Sequence, residues 1–206
     1  MRGPDIDVSV FKVLLALSLL GLGFVGVAMA RIEAQPAPSR IIPPPQFELR
    51  LGSAGDRFEF EGLVDFGLTD ALRKIVAAHP EIRQIVLESG GGYVAEARGA
   101  VTVLRAAGLS TRVDGHCASA CALIFAGGAA RAVGPDARLG LHGYALRSGQ
   151  TLGMIDPVAE MRRDLGIYRR QGLDEAFIER LAQLPQSPMW YPSHAELRAA
   201  GFLTAP

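Results

Sequence analysis

From Phe47 onward the apolar and polar positions follow two different periods. "FELRL" (Phe47–Leu51) and "FEFEGLV" (Phe58–Val64) switch between apolar and charged residues at nearly every step, as strands with one buried face do. "LTDALRKIVAAHP" instead gathers Leu68, Leu72, Ile75 and Val76 on one helical face and stops at Pro80. "QIVLES" (Gln84–Ser89) reads as a short apolar strand. After Gly90-Gly91-Gly92, "YVAEARGAVTVLRAAG" places Val94, Ala97, Val101 and Leu104 at helical spacing, up to Gly108. "STRVDG", "RAVG" and "RLGLH" are three more short strands, the last two around the turn "PDA". Helices follow over Pro157–Arg170, over Asp174–Gln183 and from Ser193, where Ser193 and Glu196 form a capping box and Gly201 closes the turn. Strands and helices that alternate in this way predict an α/β domain with a mostly parallel sheet.

The first part of the chain lacks this alternation. Val13 to Ala30, "VLLALSLLGLGFVGVAMA", is an uncharged apolar run behind Arg2 and Lys12. Crossing a bilayer core takes about 20 apolar residues, so the run sits at the lower edge of a membrane span. Ala28-Met29-Ala30 also offers a small-x-small cleavage site for a secretory signal. The run is long for a signal, which favours an uncleaved N-terminal hydrophobic helix over residues 1–30. Either way the expectation is a domain outside the cytoplasm, tethered to the membrane or, if cleaved, secreted. Arg31 to Gln46, "RIEAQPAPSRIIPPPQ", is proline-rich and predicts an extended spacer over residues 31–46. The folded domain is expected over 47–206.

Composition narrows the function classes. With 206 residues, the chain suits one domain with a real core. Its 21 basic residues balance 21 acidic ones, which gives no basic excess for nucleic acid. Repeats at solenoid periods and histidine-rich tracts are absent.

The candidate chemistry concentrates in "GHCASACALIFAGG" (Gly115–Gly128). Ser119 falls where a strand ends and a helix begins, so its hydroxyl is presented beside the amide of Ala120. Gly90-Gly91-Gly92 ends another strand, and its bare backbone can approach an oxyanion or an extended peptide. His142 closes the strand "RLGLH" and can reach a neighbouring strand end. A nucleophile, a base and oxyanion donors are three of the four parts that acyl transfer by serine needs.

In this order, the motifs resemble the ClpP/crotonase superfamily, with the nearest likeness to the Clp protease proteolytic subunit and to exported bacterial ClpP-like proteins. Gly115-His116-Cys117-Ala118-Ser119 is similar to that family's nucleophile stretch, and Pro135-Asp136-Ala137-Arg138 through His142 to the segment ending in its catalytic histidine. Ser89-Gly90-Gly91-Gly92 resembles its Ser-Pro-Gly-Gly loop with Gly for Pro, and "SHAELRAAGFL" its C-terminal helix. The resemblance implies a layered sheet-and-helix fold and a cofactor-free serine peptidase with Ser119 as nucleophile and His142 as general base. It further implies an oxyanion hole from the amides of Gly92 and Ala120, Gly91 in the substrate strand, a peptide or protein substrate, and self-association into a homo-oligomer. The pattern departs from the family at the third triad position, where "SPMWYPS" puts Met189 in place of a carboxylate. Asp164, Asp174 or no acid at all then completes the site. Without one, a ClpP-like scaffold that binds peptides but does not cleave them is the alternative.

Bland readings stand beside these. Asp174 suits the N-cap of "DEAFIERLAQL", His194 a solvated place in its capping box, and His79 the end of a helix. Cys117 and Cys121, the only cysteines, are open to three fates: buried thiols, a disulfide flanking Ser119, or zinc ligands together with His116 and His142. No metal is expected, since no second clear ligand pair exists. Gly90-x-Gly92-x-x-Ala95, with Asp114 further on, also satisfies a dinucleotide fingerprint. A nucleotide or acyl-CoA binder is therefore a third, weaker class, because the run of strand–helix units that should follow is missing.

Overall fold

The computed structural model describes residues 12–13, 15–19, 44–144 and 156–205. Two units make up the chain, Met1–Pro43 and Pro44–Pro206. In the first, residues 12–13 and 15–19 are helical. No helix among the described residues is long and apolar enough to cross a membrane. Most of the expected hydrophobic helix, the Ala28–Ala30 cleavage site and the spacer as far as residue 43 lie outside the described residues.

The second unit opens with a hairpin, β1 (Phe47–Leu51) against β2 (Phe58–Gly62), paired antiparallel. Alternation sends Phe58 and Phe60 inward and leaves Glu59 and Glu61 facing out. Burying two such rings contributes on the order of 3–6 kcal/mol before entropy is counted. β3 (Gln84–Glu88) and β4 (Ser110–Val113) then add in parallel, and β6 (Arg131–Val133) joins β4, for an order β1-β2-β3-β4-β6. β5 (His116–Ala118) and β7 (Arg138–Gly140) form a separate parallel pair. The expected α/β class with a mostly parallel sheet is therefore what folds.

One predicted strand is shorter than its pattern. The alternation runs to Val64, but the ladder with β1 ends at Gly62, whose φ is 112°. A side chain there would bring a Cβ within 2.6 Å of the Gln46 carbonyl oxygen, so only glycine makes this bend. Val64 is left free to pair with the glycine loop instead.

Helices α1 (Leu68–Ala78) and α2 (Val94–Ala107) follow β2 and β3. α1 has no side-chain cap of its own. Glu96 of α2 supplies one, accepting from the Gly67 and Thr69 amides and from the Thr69 hydroxyl at 3.2, 2.9 and 2.6 Å. Short α3 (Ala120–Ala126) is buried throughout. α4 (Pro157–Arg170), α5 (Glu175–Ala182) and α6 (His194–Ala199) complete the unit, α6 with the expected capping box.

Buried Arg131 ties the end of the chain to the sheet. Its guanidinium donates to the carbonyls of Phe202, Gly128, Gln171 and Gly201, and its amide to the Thr204 hydroxyl. Burial lowers the pKa of this guanidinium.

Candidate active site

Ser119 sits alone between β5 and α3, with φ 58° and ψ −123°. It is the one non-glycine residue with positive φ among the described residues. Such a conformation costs about 1–3 kcal/mol and persists only where the surroundings force it. Here they do. The Ser119 amide donates to the Gly140 carbonyl of β7 at 2.8 Å, its carbonyl accepts from Ala122 at 3.0 Å, and a Cys117–Cys121 disulfide closes over it. Of the three fates open to the cysteines, the disulfide is the one formed. It removes both thiolates as zinc ligands, and no cluster among the described residues could hold a metal ion.

The histidine arrives from the other side. After β7, Leu141 exchanges two backbone bonds with Trp190, and His142 follows. Its Nε2 lies 2.7 Å from Ser119 Oγ, and its Nδ1 lies 2.7 Å from the Gly143 carbonyl oxygen. A carbonyl can only accept, so Nδ1 carries the proton and Nε2 is the acceptor for the serine hydroxyl. Gly143 in turn donates to the Pro185 carbonyl at 2.8 Å, and a Cβ on it would meet the Leu184 oxygen at 2.0 Å. No side chain other than hydrogen fits there. Both Ser119 and His142 remain partly exposed.

Neither candidate carboxylate touches the imidazole. Asp174 is the N-cap of α5, accepting from the Phe177 amide at 3.0 Å. Asp164 is 1 % exposed and lines the same small cavity as Ser119 and His142, yet its oxygens are committed elsewhere. Arg98 donates to both, at 2.6 and 2.9 Å, and the Tyr144 hydroxyl donates at 2.5 Å. Glu160 takes another Arg98 nitrogen. Burial alone would lower the Arg98 pKa, but the hydrogen bonds it donates to Asp164 and Glu160, with their negative charge, outweigh it and raise it. Burial first, then the neighbouring Tyr168 and Asp164, push the Tyr144 hydroxyl upward, so it stays a donor. Met189 packs towards Gly140, where a Cβ would lie 2.4 Å from its sulfur.

Sequence reasoning missed Arg98, Gly143 and Tyr144. One signal was available: Asp164 occupies the apolar stripe of α4, between Met161 and Leu165 and one turn before Tyr168. A carboxylate on a buried stripe demands a partner.

The glycine loop divides its labour. Gly91 (φ 103°) lies directly against the elbow, since a Cβ on it would be 2.7 Å from Ser119 Cβ and 3.1 Å from the Ala120 nitrogen. Its amide donates to Ser89 Oγ at 3.1 Å. Gly92 (φ 150°) packs instead on Val64, whose oxygen a Cβ would meet at 2.2 Å. The Gly92 and Ala120 amides have no acceptor among the described residues. The dinucleotide pattern thus has another physical origin, in which the glycines admit the elbow and a neighbouring strand. Its acidic residue, Asp114, pairs with Arg112 at 2.6 Å.

Two other histidines differ in their surroundings. His79 is the C-cap of α1, as its place before Pro80 predicts. His194 is not the solvated residue expected; its Nε2 donates to the Ala137 carbonyl at 2.7 Å and pins α6 to the turn before β7.

No family model and no curated protein matches the sequence. Among solved structures, a mutant of ClpP1 from Listeria monocytogenes is similar to this chain, with a TM-score of 0.58 and 16% identity, covering 72% of this chain and 88% of that one. The fold is ClpP-like.

Proposed function

We propose that this chain is a serine hydrolase that cleaves amide bonds in extended polypeptides outside the cytoplasm. The observation that supports it is the 2.7 Å contact between Ser119 Oγ and His142 Nε2 at a strained turn. Oγ attacks the scissile carbonyl while Nε2 takes its proton, and the tetrahedral oxyanion is received by the amides of Gly92 and Ala120. Collapse passes the proton from Nε2 to the departing amine, and water repeats the cycle on the acyl-enzyme. The Gly143 carbonyl replaces the usual acid. In serine proteases, exchanging that acid for an amide costs about 10⁴ in kcat because the wrong tautomer forms. A carbonyl acceptor selects the right tautomer, so this dyad keeps its geometry and forgoes only the charge that would stabilise the imidazolium.

An extracytoplasmic setting agrees with the Cys117–Cys121 bond, since disulfides persist in oxidising compartments. It also agrees with the apolar N-terminal run, read as a membrane anchor or signal. Assembly into a homo-oligomer is part of the same proposal, by analogy of fold. The second reading is a peptide-binding scaffold without turnover, favoured because no carboxylate among the described residues bonds the imidazole, whose Nδ1 meets the Gly143 carbonyl instead. Labelling by a fluorophosphonate separates the two. Covalent labelling of the wild type, lost in Ser119→Ala and in His142→Ala, supports the hydrolase; a folded wild type that takes no label sinks it.

A further inference from the structure

Exposed large apolar side chains are few among the described residues of the second unit, and two of them stack beside the glycine loop while Leu63 precedes Val64, the residue that pairs with that loop. Phe66 is 63% exposed, Leu63 44% and Tyr93 39%. The Phe66 and Tyr93 rings lie 4.3 Å apart, centroid to centroid, at an interplanar angle of 31°. Single exposed apolar residues are ordinary, but a contiguous aromatic pair at the mouth of a site has a use.

The backbone shows what kind of ligand it faces. Val64 pairs with the loop through two bonds, its amide to the Gly91 oxygen at 2.9 Å and its oxygen from the Tyr93 amide at 2.7 Å. By strand alternation, the N–H and C=O of Gly92 between them face away from Val64, along an exposed and unpaired edge. An unpaired strand edge is completed by another extended backbone. Tyr93 stands two residues from Gly91, the residue packed on Ser119. Two steps of extended chain span about 7 Å, so a peptide laid on this edge carries one side chain over the ring pair when its scissile bond is at Ser119.

The backbone that carries the pair is also fixed before any ligand arrives, at Phe66 by the bonds that follow and at Tyr93 by its amide bond to Val64. Glu96 fixes Gly67 and Thr69, immediately after Phe66, and the Phe66 amide donates to Asp65 Oδ1 at 2.8 Å. A pre-positioned aromatic surface binds an apolar ring at low entropic cost.

We infer that Phe66 and Tyr93 form a subsite that selects extended peptides carrying an aromatic or large aliphatic side chain about two residues from the cleaved bond. This rests on the proposed use of the Ser119 site for polypeptide, and it adds the class of sequence preferred there.

The test uses the full chain carrying Ser119→Ala, so that binding is read without turnover. Fluorescent alanine octapeptides bearing one phenylalanine at each successive position are titrated by anisotropy. One register of phenylalanine should bind about tenfold more tightly than the all-alanine peptide, and this preference should vanish in Phe66→Ala and in Tyr93→Ala. Equal affinity at every register overturns the subsite, as does a preference that survives the Phe66→Ala/Tyr93→Ala pair. So does a sedimentation mass that falls in the paired variant while peptide discrimination stays unchanged, because the patch then belongs to a contact between copies. Fluorophosphonate labelling of the wild type is scored separately, so failure of the hydrolase and failure of the subsite give different results.

Discussion

The two halves of the candidate site are held by different means. On the serine side the covalent support is short-range: a disulfide with a sequence separation of 4 and a buried helix that starts at the next residue flank a strained turn. One backbone bond to Gly140 and the packing of Gly91 are added from further along the chain. On the histidine side the support is long-range. The segment His142–Tyr144 is gripped through the Gly143 backbone by Pro185 and through the Tyr144 hydroxyl by Asp164, itself held by Arg98 from 66 residues away. A local covalent link thus distinguishes the support of the nucleophile, whereas the base depends wholly on tertiary hydrogen bonds and a buried ion pair. Losing local support should deform a turn; losing tertiary support should loosen the whole layer of helices packed behind it.

The most severe way to break this contrast is Asp164→Asn. It leaves the Arg98 guanidinium, 18% exposed at its side chain, facing a neutral amide in place of its buried partner. Removing one member of such a pair costs about 3–5 kcal/mol. We expect the lower end because Glu160 remains, read as a drop in urea midpoint together with slower fluorophosphonate labelling. An unchanged midpoint would mean that the histidine side does not depend on this network.

A smaller effect is expected on the serine side. Replacing both cysteines by alanine frees a closed loop of a few residues, which chain-entropy arguments value at about 2 kcal/mol. The loss should be independent of pH between 3 and 7, and a dithiol reductant acting on the unfolded wild type should lower its refolded yield similarly. Stability that rises when the pair is removed would contradict a stapled elbow.

Smallest of all is the acid response of Glu160. The hydrogen bond from Arg98 lowers its pKa below the ordinary 4.5. A lowered carboxylate contributes stability that is fully present above 4.5 and disappears as pH falls through the folded-state value. The side chain is 34% exposed, so the effect should stay below about 1 kcal/mol. Comparing wild type with Glu160→Gln by urea melts from pH 6 to 3 should show a gap that closes at the acid end. The cysteine variant should show no such closure, which sharpens the comparison between the two sides.

This contrast also explains what the sequence made legible. Local features were readable: the helices and every strand but the three-residue β5, the Ser193–Glu196 capping box, Asp174 as an N-cap, Ser119 at a strand–helix junction and His142 at a strand end. Each depends on spacing within a few residues. The orienting carbonyl of Gly143 was not readable, because backbone atoms carry no residue identity. Arg98 looked like an ordinary polar position of α2, since its partner lies on a helix far along the chain. Gly62 ended β2 earlier than the alternation suggested, because the steric reason is the backbone of Gln46, a contact no pattern encodes.

Arg131 has a consequence for how this unit tolerates trimming. Its positive charge sits inside the protein with no ion pair to a carboxylate among the described residues, and carbonyl dipoles of residues 201 and 202 stand in for hydration. An exopeptidase that nibbled inward past Thr204 would therefore begin to strip the solvation from a cation at the far edge of the sheet. Damage at a surface tail would be felt as charge stranded in the interior.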